Sequence, residues 1–150
     1  MGLFKFKNKE YDKVVTDAIN GIDFPPIAIE GEFKLFCGTN EIGGYNFLNC
    51  NIVGPFQVRS SKGCYALINN GNEELEIESE TVEINSDYSD TLSLGVTAFV
   101  IELESKLENW INEGLVKSIR FKFPKKSCEY HNIDAVIFKD LLKKDLSEEE

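Results

Sequence analysis

Apolar positions change period along the chain, and each change marks an element. From Asn8 to Gly21, Tyr11, Val14, Val15, Ala18 and Ile19 fall at i, i+3, i+4, i+7 and i+8, one stripe of an amphipathic helix. Asn8 is placed to cap its start and Gly21 its end. Pro25-Pro26 then forbids both helix and interior strand. From Ile27 to about Leu103 the period drops to two, in short runs punctuated by Gly, Asn and Ser, as in an antiparallel meander. The runs are Ile27 to Cys37, Tyr45 to Val53, Phe56 to Ser60, Cys64 to Asn69, Glu74 to Ile84 and Leu92 to Leu103.

Asn70-Gly71 reads as a two-residue type I′ turn, because that turn needs positive φ twice and Asn-Gly supplies it at least cost. With Asn69 and Asn72 flanking it, Ala66 faces Leu75 and Cys64 faces Ile77 on the core side, while Tyr65 and Leu67 face Glu76 and Glu74 on the other. Leu75 and Ile77 are odd-numbered, whereas Val82 and Ile84 are even. A bulge or bend at Ser79 to Thr81 is therefore expected.

Helical spacing returns at Ser105-Lys106-Leu107-Glu108, a capping-box pattern, with Leu107, Trp110 and Ile111 on one face and Gly114 at the end. Leu115 to Phe123 alternates as a strand stopped by Pro124. Asp134 is placed to cap a last helix carrying Ile137, Phe138, Leu141 and Leu142, with residues 146–150 a frayed tail. The order predicts an α+β fold in one domain spanning residues 1–150: a curled antiparallel meander of six to seven strands with an N-terminal helix and two C-terminal helices packed on it.

A chain of 150 residues, 42% hydrophobic and with 11 Phe, supports one core without staples. Cys37, Cys50, Cys64 and Cys128 are therefore expected as free thiols of a reducing, cytoplasmic setting. No run approaches the roughly 20 apolar residues of a membrane helix. Met1 to Phe6 shows neither a signal-peptide core nor a myristoylation pattern, so neither export nor a membrane is expected. The net charge of -10, with Arg59 and Arg120 the only arginines, argues against nucleic acid, which is bound through Lys and Arg displacing counterions.

Several side-chain groupings invite chemistry. Cys37, Cys50 and Cys64, with Cys128-Glu129-Tyr130-His131, offer the donors of a Cys₃His zinc site, but only the last pair has the close spacing such sites use. Cys128, His131 and Asp134 resemble a nucleophile, base and orienting acid, yet catalytic partners normally converge from separate parts of a fold. Asn85-Ser86-Asp87-Tyr88-Ser89-Asp90 has oxygen ligands but lacks the glycine and distal Glu of a calcium loop. Gly38 to Gly44 has glycines without the Gly-Lys-Ser/Thr of a phosphate loop and reads as a hairpin turn. No catalytic residue, metal or cofactor is assigned from these patterns.

The remaining anomaly is acidic. Glu73, Glu74, Glu76, Glu78, Glu80, Glu83, Asp87 and Asp90 follow one another with no Lys or Arg between Gly71 and Lys106. On a strand, Glu74, Glu76, Glu78 and Glu80 project from one face, close enough to repel. Either Lys and Arg elsewhere in the chain, from Leu115 to Lys126 or at Arg59 and Lys62, answer them across the sheet, or the charges guard an edge strand, or they meet a basic protein. The leading expectation is a non-enzymatic interaction protein of inhibitor or immunity type. Its partner-binding residues are Glu74, Glu76, Glu78, Glu80, Glu83, Asp87 and Asp90, and its partner a basic protein of the toxin or nuclease class. Alternatives are a small enzyme or ligand-binding barrel with a Phe-lined pocket, and an assembly subunit pairing through strand edges.

Overall fold

Helix α1 spans residues 12–20 in the computed structural model, which describes residues 12–148 with side chains as far as Leu142; Asn8 and Tyr11 of the expected stripe lie outside them. Val15 is fully buried against Val53 and Val96, with Ala18, Ile19 and Ile22 beside it, whereas Val14 is exposed. The working stripe is thus Val15, Ala18, Ile19 and Ile22, again at i, i+3, i+4 and i+7. It covers the outer face of a sheet.

That sheet has five strands in the order β1 (Ala28–Glu30), β2 (Phe33–Ile42), β3 (Tyr45–Gly54), β9 (Leu94–Glu102) and β8 (Asp87–Ser89). A second sheet has four, in the order β11 (Ser127–Tyr130), β10 (Ser118–Lys122), β5 (Tyr65–Asn69) and β6 (Glu74–Glu78). β4 (Arg59–Ser60) and β7 (Ile84–Asn85) form a short pair. Every pairing is antiparallel. With α2 (Ser105–Asn112) and α3 (Ala135–Glu148) the fold is α+β, but three sheets of five, four and two strands replace the expected single meander. α3 continues past the start of the expected tail at residue 146; Glu149 and Glu150 lie outside the described residues.

The meander fails where expected single strands break. Ile27 to Cys37 folds back at Gly31-Glu32 into β1 and β2, and Asn85 to Asp90, expected as a polar turn, supplies β7 and β8. β2 runs on through the expected Gly38–Gly44 turn as far as Ile42, which pairs with Tyr45. Only Gly43 and Gly44 turn, at φ 60° and 87°, so the tight hairpin with two positive φ values sits here. At Asn70-Gly71 the loop is instead four residues long. Asn70 Oδ1 accepts from the Asn72 and Glu73 amides, both at 2.8 Å, and the Asn70 amide donates to the Glu73 carbonyl at 3.1 Å. Asn69 then pairs with Glu74, Ala66 with Ile77 and Leu67 with Glu76, two residues from the expected register. A slip of two leaves every side chain on its expected face.

The expected bend at Ser79 exists, and it carries the chain between sheets. Ser79 closes the β5–β6 ladder, its amide donating to the Cys64 carbonyl at 2.9 Å and its hydroxyl accepting from the Cys64 amide at 2.9 Å. The Glu80 amide then donates to the Val100 carbonyl of β9 at 2.8 Å, and Thr81 Oγ1 accepts from the Val100 amide at 3.0 Å. On the opposite side Ala28 bridges Ile133, and the Asp134 amide donates to the Ile27 carbonyl at 2.7 Å. Just beyond the ends of β6 and β11 the two large sheets are thus hydrogen-bonded to each other, and one interior lies between them.

Leu35, Cys37, Leu48, Cys50, Ile52, Phe99 and Ile101 fill it from one side and Ala66, Ile68, Ile119, Phe121, Cys128 and Tyr130 from the other. Phe99 and Phe121 meet across the sheets edge to face with centroids 5.0 Å apart. Phe56 and Phe99 each stand edge-on to Phe123, so these rings pack on one another. Leu107, Trp110 and Ile111 of α2 and Phe138 and Leu142 of α3 join the same core. The N-cap of α2 is Glu104, with no side-chain hydrogen bond, so Ser105 is its first residue and the capping box does not form. Its C-terminus closes as expected, with the Gly114 and Leu115 amides bonded to the Ile111 and Trp110 carbonyls. Asp134 caps α3 through Oδ1 to the Ile137 amide at 3.0 Å. No helix among the described residues is long and apolar enough to cross a membrane.

Candidate site: the acidic edge strand

The outer face of the four-stranded sheet is set by alternation. Ala66, Ile68, Ile77, Ile119, Phe121, Cys128 and Tyr130 turn inward, which forces their neighbours outward. Across this face the registers align Glu129, Arg120, Leu67 and Glu76 in one row, and Ser127, Lys122, Tyr65 and Glu78 in the next. Glu74, Glu76 and Glu78 are exposed, as are Tyr65, Arg120, Lys122 and Glu129; Leu67 is half-buried.

β6 ends its sheet. In an antiparallel ladder, hydrogen-bonded pairs alternate with pairs whose N–H and C=O groups point the other way. The Asn70–Glu73 and Cys64–Ser79 bonds fix the phase of the β5–β6 ladder, so Leu75 and Ile77 bond to β5. The backbone groups of Glu74, Glu76 and Glu78 therefore point to the outer edge, where no described strand pairs with β6. These three residues offer backbone donors and acceptors along the edge and carboxylates on the open face.

None of the three carboxylates is in an ion pair among the described residues. Glu73 pairs with Lys106 at 2.6 Å, and the second ion pair recorded, His131 Nε2 with Glu129 at 3.8 Å, is remote from β6. Arg120 and Lys122 share the face, as expected, but β5 separates them from β6. Neither is in an ion pair with Glu74, Glu76 or Glu78 among the described residues, although Lys122 and Lys62 share a cleft with Glu78.

The rest of the acidic run does not join this row. Glu80 and Glu83 are exposed on the segment crossing to the other sheet, where the Glu80 backbone binds Val100. Asp87 pairs with Val96 on β8, and Asp90 is exposed in the turn that follows. Val96 and Val100 are four residues apart on β9, so Asp87 and Glu80 lie about 13 Å apart along one edge.

The other candidate groups come apart. Cys128 faces the interior, its Sγ 4.0 Å from Tyr130 Oη, while His131 is exposed and Asp134 is committed to its cap. Burial pushes the Cys128 thiol up to about 12, outweighing the lowering contact with Tyr130, and burial also raises Tyr130. Cys37 and Cys50 face each other across β2 and β3 with Sγ atoms 3.9 Å apart. The Cys37 contact, and then burial, hold the Cys50 thiol well above its ordinary range. Cys64 is pushed up to about 12 by burial, against the lowering bond with Ser79. A neutral thiol is a poor nucleophile and a poor metal ligand. Among the described residues no group of three or more His, Cys, Asp or Glu is arranged to hold a metal ion. Compared with protein-family models, with curated proteins and with solved structures, the chain matches none.

Proposed function

We propose that this chain is a binding protein of inhibitor or immunity type, and that it docks a basic protein along β6. The observation that carries this reading is the coincidence at Glu74, Glu76 and Glu78 of edge-facing backbone groups and carboxylates that are in no ion pair among the described residues. A partner strand added at this edge would bond to the backbone of these three residues. Its Lys and Arg side chains, at alternate positions, would lie directly opposite the carboxylates.

Self-association through the same edge is opposed by the same charges, because antiparallel pairing of two β6 strands sets carboxylate against carboxylate. The assembly reading is weaker on that ground. Four buried thiols, none in a disulfide, suit a reducing, cytoplasmic setting for the partner.

The test is capture from lysate at low salt by the parent chain and by Glu74→Lys/Glu76→Lys/Glu78→Lys. The parent recovers a basic protein that is released at high salt, and the reversed chain recovers none. Equal capture by both chains overturns the proposal.

A further inference from the structure

On a chain of net charge -10, five of the sixteen Lys and Arg residues gather around one ridge, Phe123-Pro124. On one side of it lies a cleft of about 280 Å³, lined by Gln57, Val58, Arg59, Lys125 and Lys126 with the ridge itself, and among the described residues no carboxylate lines it. Its two walls are braced together: Lys126 Nζ donates to the Gln57 carbonyl at 2.6 Å. One such bond leaves two N–H donors on that ammonium. On the other side a cleft of about 730 Å³ adds Lys62 and Lys122, with Tyr65 and Val82 on its walls and Glu78 also lining it.

Three cations in a small cleft that no described carboxylate lines carry more positive charge than a single carboxylate neutralises, and they match a phosphate dianion. Arg59 contributes a planar fork that pairs two phosphate oxygens. Exposed Pro124, beside the buried Phe123, gives the ridge an apolar crest between the clefts. The larger cleft has the volume of small-molecule sites. A long polyanion is disfavoured by the net charge and by Glu78 on the adjoining wall.

We propose that this ridge binds a phosphorylated small molecule. Its phosphate sits among Arg59, Lys125 and Lys126, and its body crosses Phe123-Pro124 toward Tyr65. The site is independent of the docking edge except for Glu78, so either proposal can fail alone.

The test uses ATP as the probe, with pyrophosphate and a single-stranded dodecathymidylate as comparators, followed by amide NMR shifts at low salt. ATP binds saturably with Kd below about 1 mM and shifts the amides of Arg59, Lys62, Lys125 and Lys126. Arg59→Ala/Lys125→Ala weakens it about tenfold or more, equivalent to about 1.4 kcal/mol, while an unchanged melting curve shows that this variant is folded. Glu74→Lys/Glu76→Lys leaves it bound. ATP binds more tightly than pyrophosphate because its body adds contact with the ridge. The proposal is overturned by non-saturating shifts, by an Arg59→Ala/Lys125→Ala variant that binds as well as the parent, by pyrophosphate binding as tightly as ATP, or by the dodecathymidylate binding more tightly than ATP.

Discussion

Glu76→Gln removes the middle charge of the β6 row and should stabilise the protein. Carboxylates two residues apart on a strand stand about 7 Å from each other, and in bulk water such a pair repels by about 0.6 kcal/mol. At physiological ionic strength the Debye length of about 8 Å reduces this to about 0.25 kcal/mol per pair. Glu76 has two such neighbours, Glu74 and Glu78, and no ion pair among the described residues. The gain is then about 0.5 kcal/mol, rising to about 1 kcal/mol near 0.01 M salt, where the Debye length is about 30 Å. For a domain of this size the melting temperature rises by about 1 to 2 °C at physiological salt and by about 2 to 4 °C at low salt. Urea denaturation and thermal melts at both salt concentrations measure it. If a cation inside the fold answered Glu76 as Lys106 answers Glu73, the substitution would lower stability, and low salt would deepen the loss. That result refutes the reading of β6 as an unanswered row.

Other substitutions test the frame that presents the strand. Gly95→Ala would put a Cβ 2.5 Å from the Phe56 carbonyl oxygen and 2.9 Å from the Tyr88 ring; a loss of about 1 to 3 kcal/mol or more is expected, and an unchanged urea midpoint would contradict the close approach. Asp134→Ala removes the α3 cap and should cost about 1 kcal/mol, most of which Asp134→Ser restores. Cys64 and Cys128, held at about 12 when folded, titrate near 8.5 when unfolded. Their contribution is therefore fully present below about pH 8.5 and is lost as pH rises toward 12, by up to about 1.4 kcal/mol per pH unit for each thiol. Cys64→Ala/Cys128→Ala should show a flatter decline in stability between pH 8 and about 10.5, and a decline as steep as the parent's would contradict the assignment.

Local chemistry was legible in the sequence at several element ends, though not at Ser105, whose capping box does not form, nor at Asn70-Gly71, whose loop is longer than two residues. Gly114 ends α2, Pro124 lies just past β10, and Asp134 caps α3, because each depends on its own backbone or on a partner within a few residues. Inward and outward faces were legible too, since period two survives even the register slip at Asn70-Gly71. Strand order was not. Ser79 hydrogen-bonds both in its own hairpin and to Thr81, and the next two residues bind β9, yet nothing in Ser-Glu-Thr distinguishes a bulge within one sheet from a crossing between two. The same holds for sites. The acidic row shows in the sequence because Glu74, Glu76 and Glu78 are spaced as strand neighbours, but their position on an edge depends on β10 returning to the other side of β5. The cations around Phe123-Pro124 come from two segments, residues 59–62 and 122–126, that only the tertiary fold joins.

Residue-resolved amide hydrogen exchange reads the outer edge of β6 directly. Leu75 and Ile77 bond to β5 and should exchange slowly in the free protein, whereas the Glu74, Glu76 and Glu78 amides, which face the edge, should exchange fast. On addition of the captured basic partner, exchange should slow selectively at Glu74, Glu76 and Glu78. Protection elsewhere on the molecule, with these three amides unchanged in the complex, would contradict docking along β6.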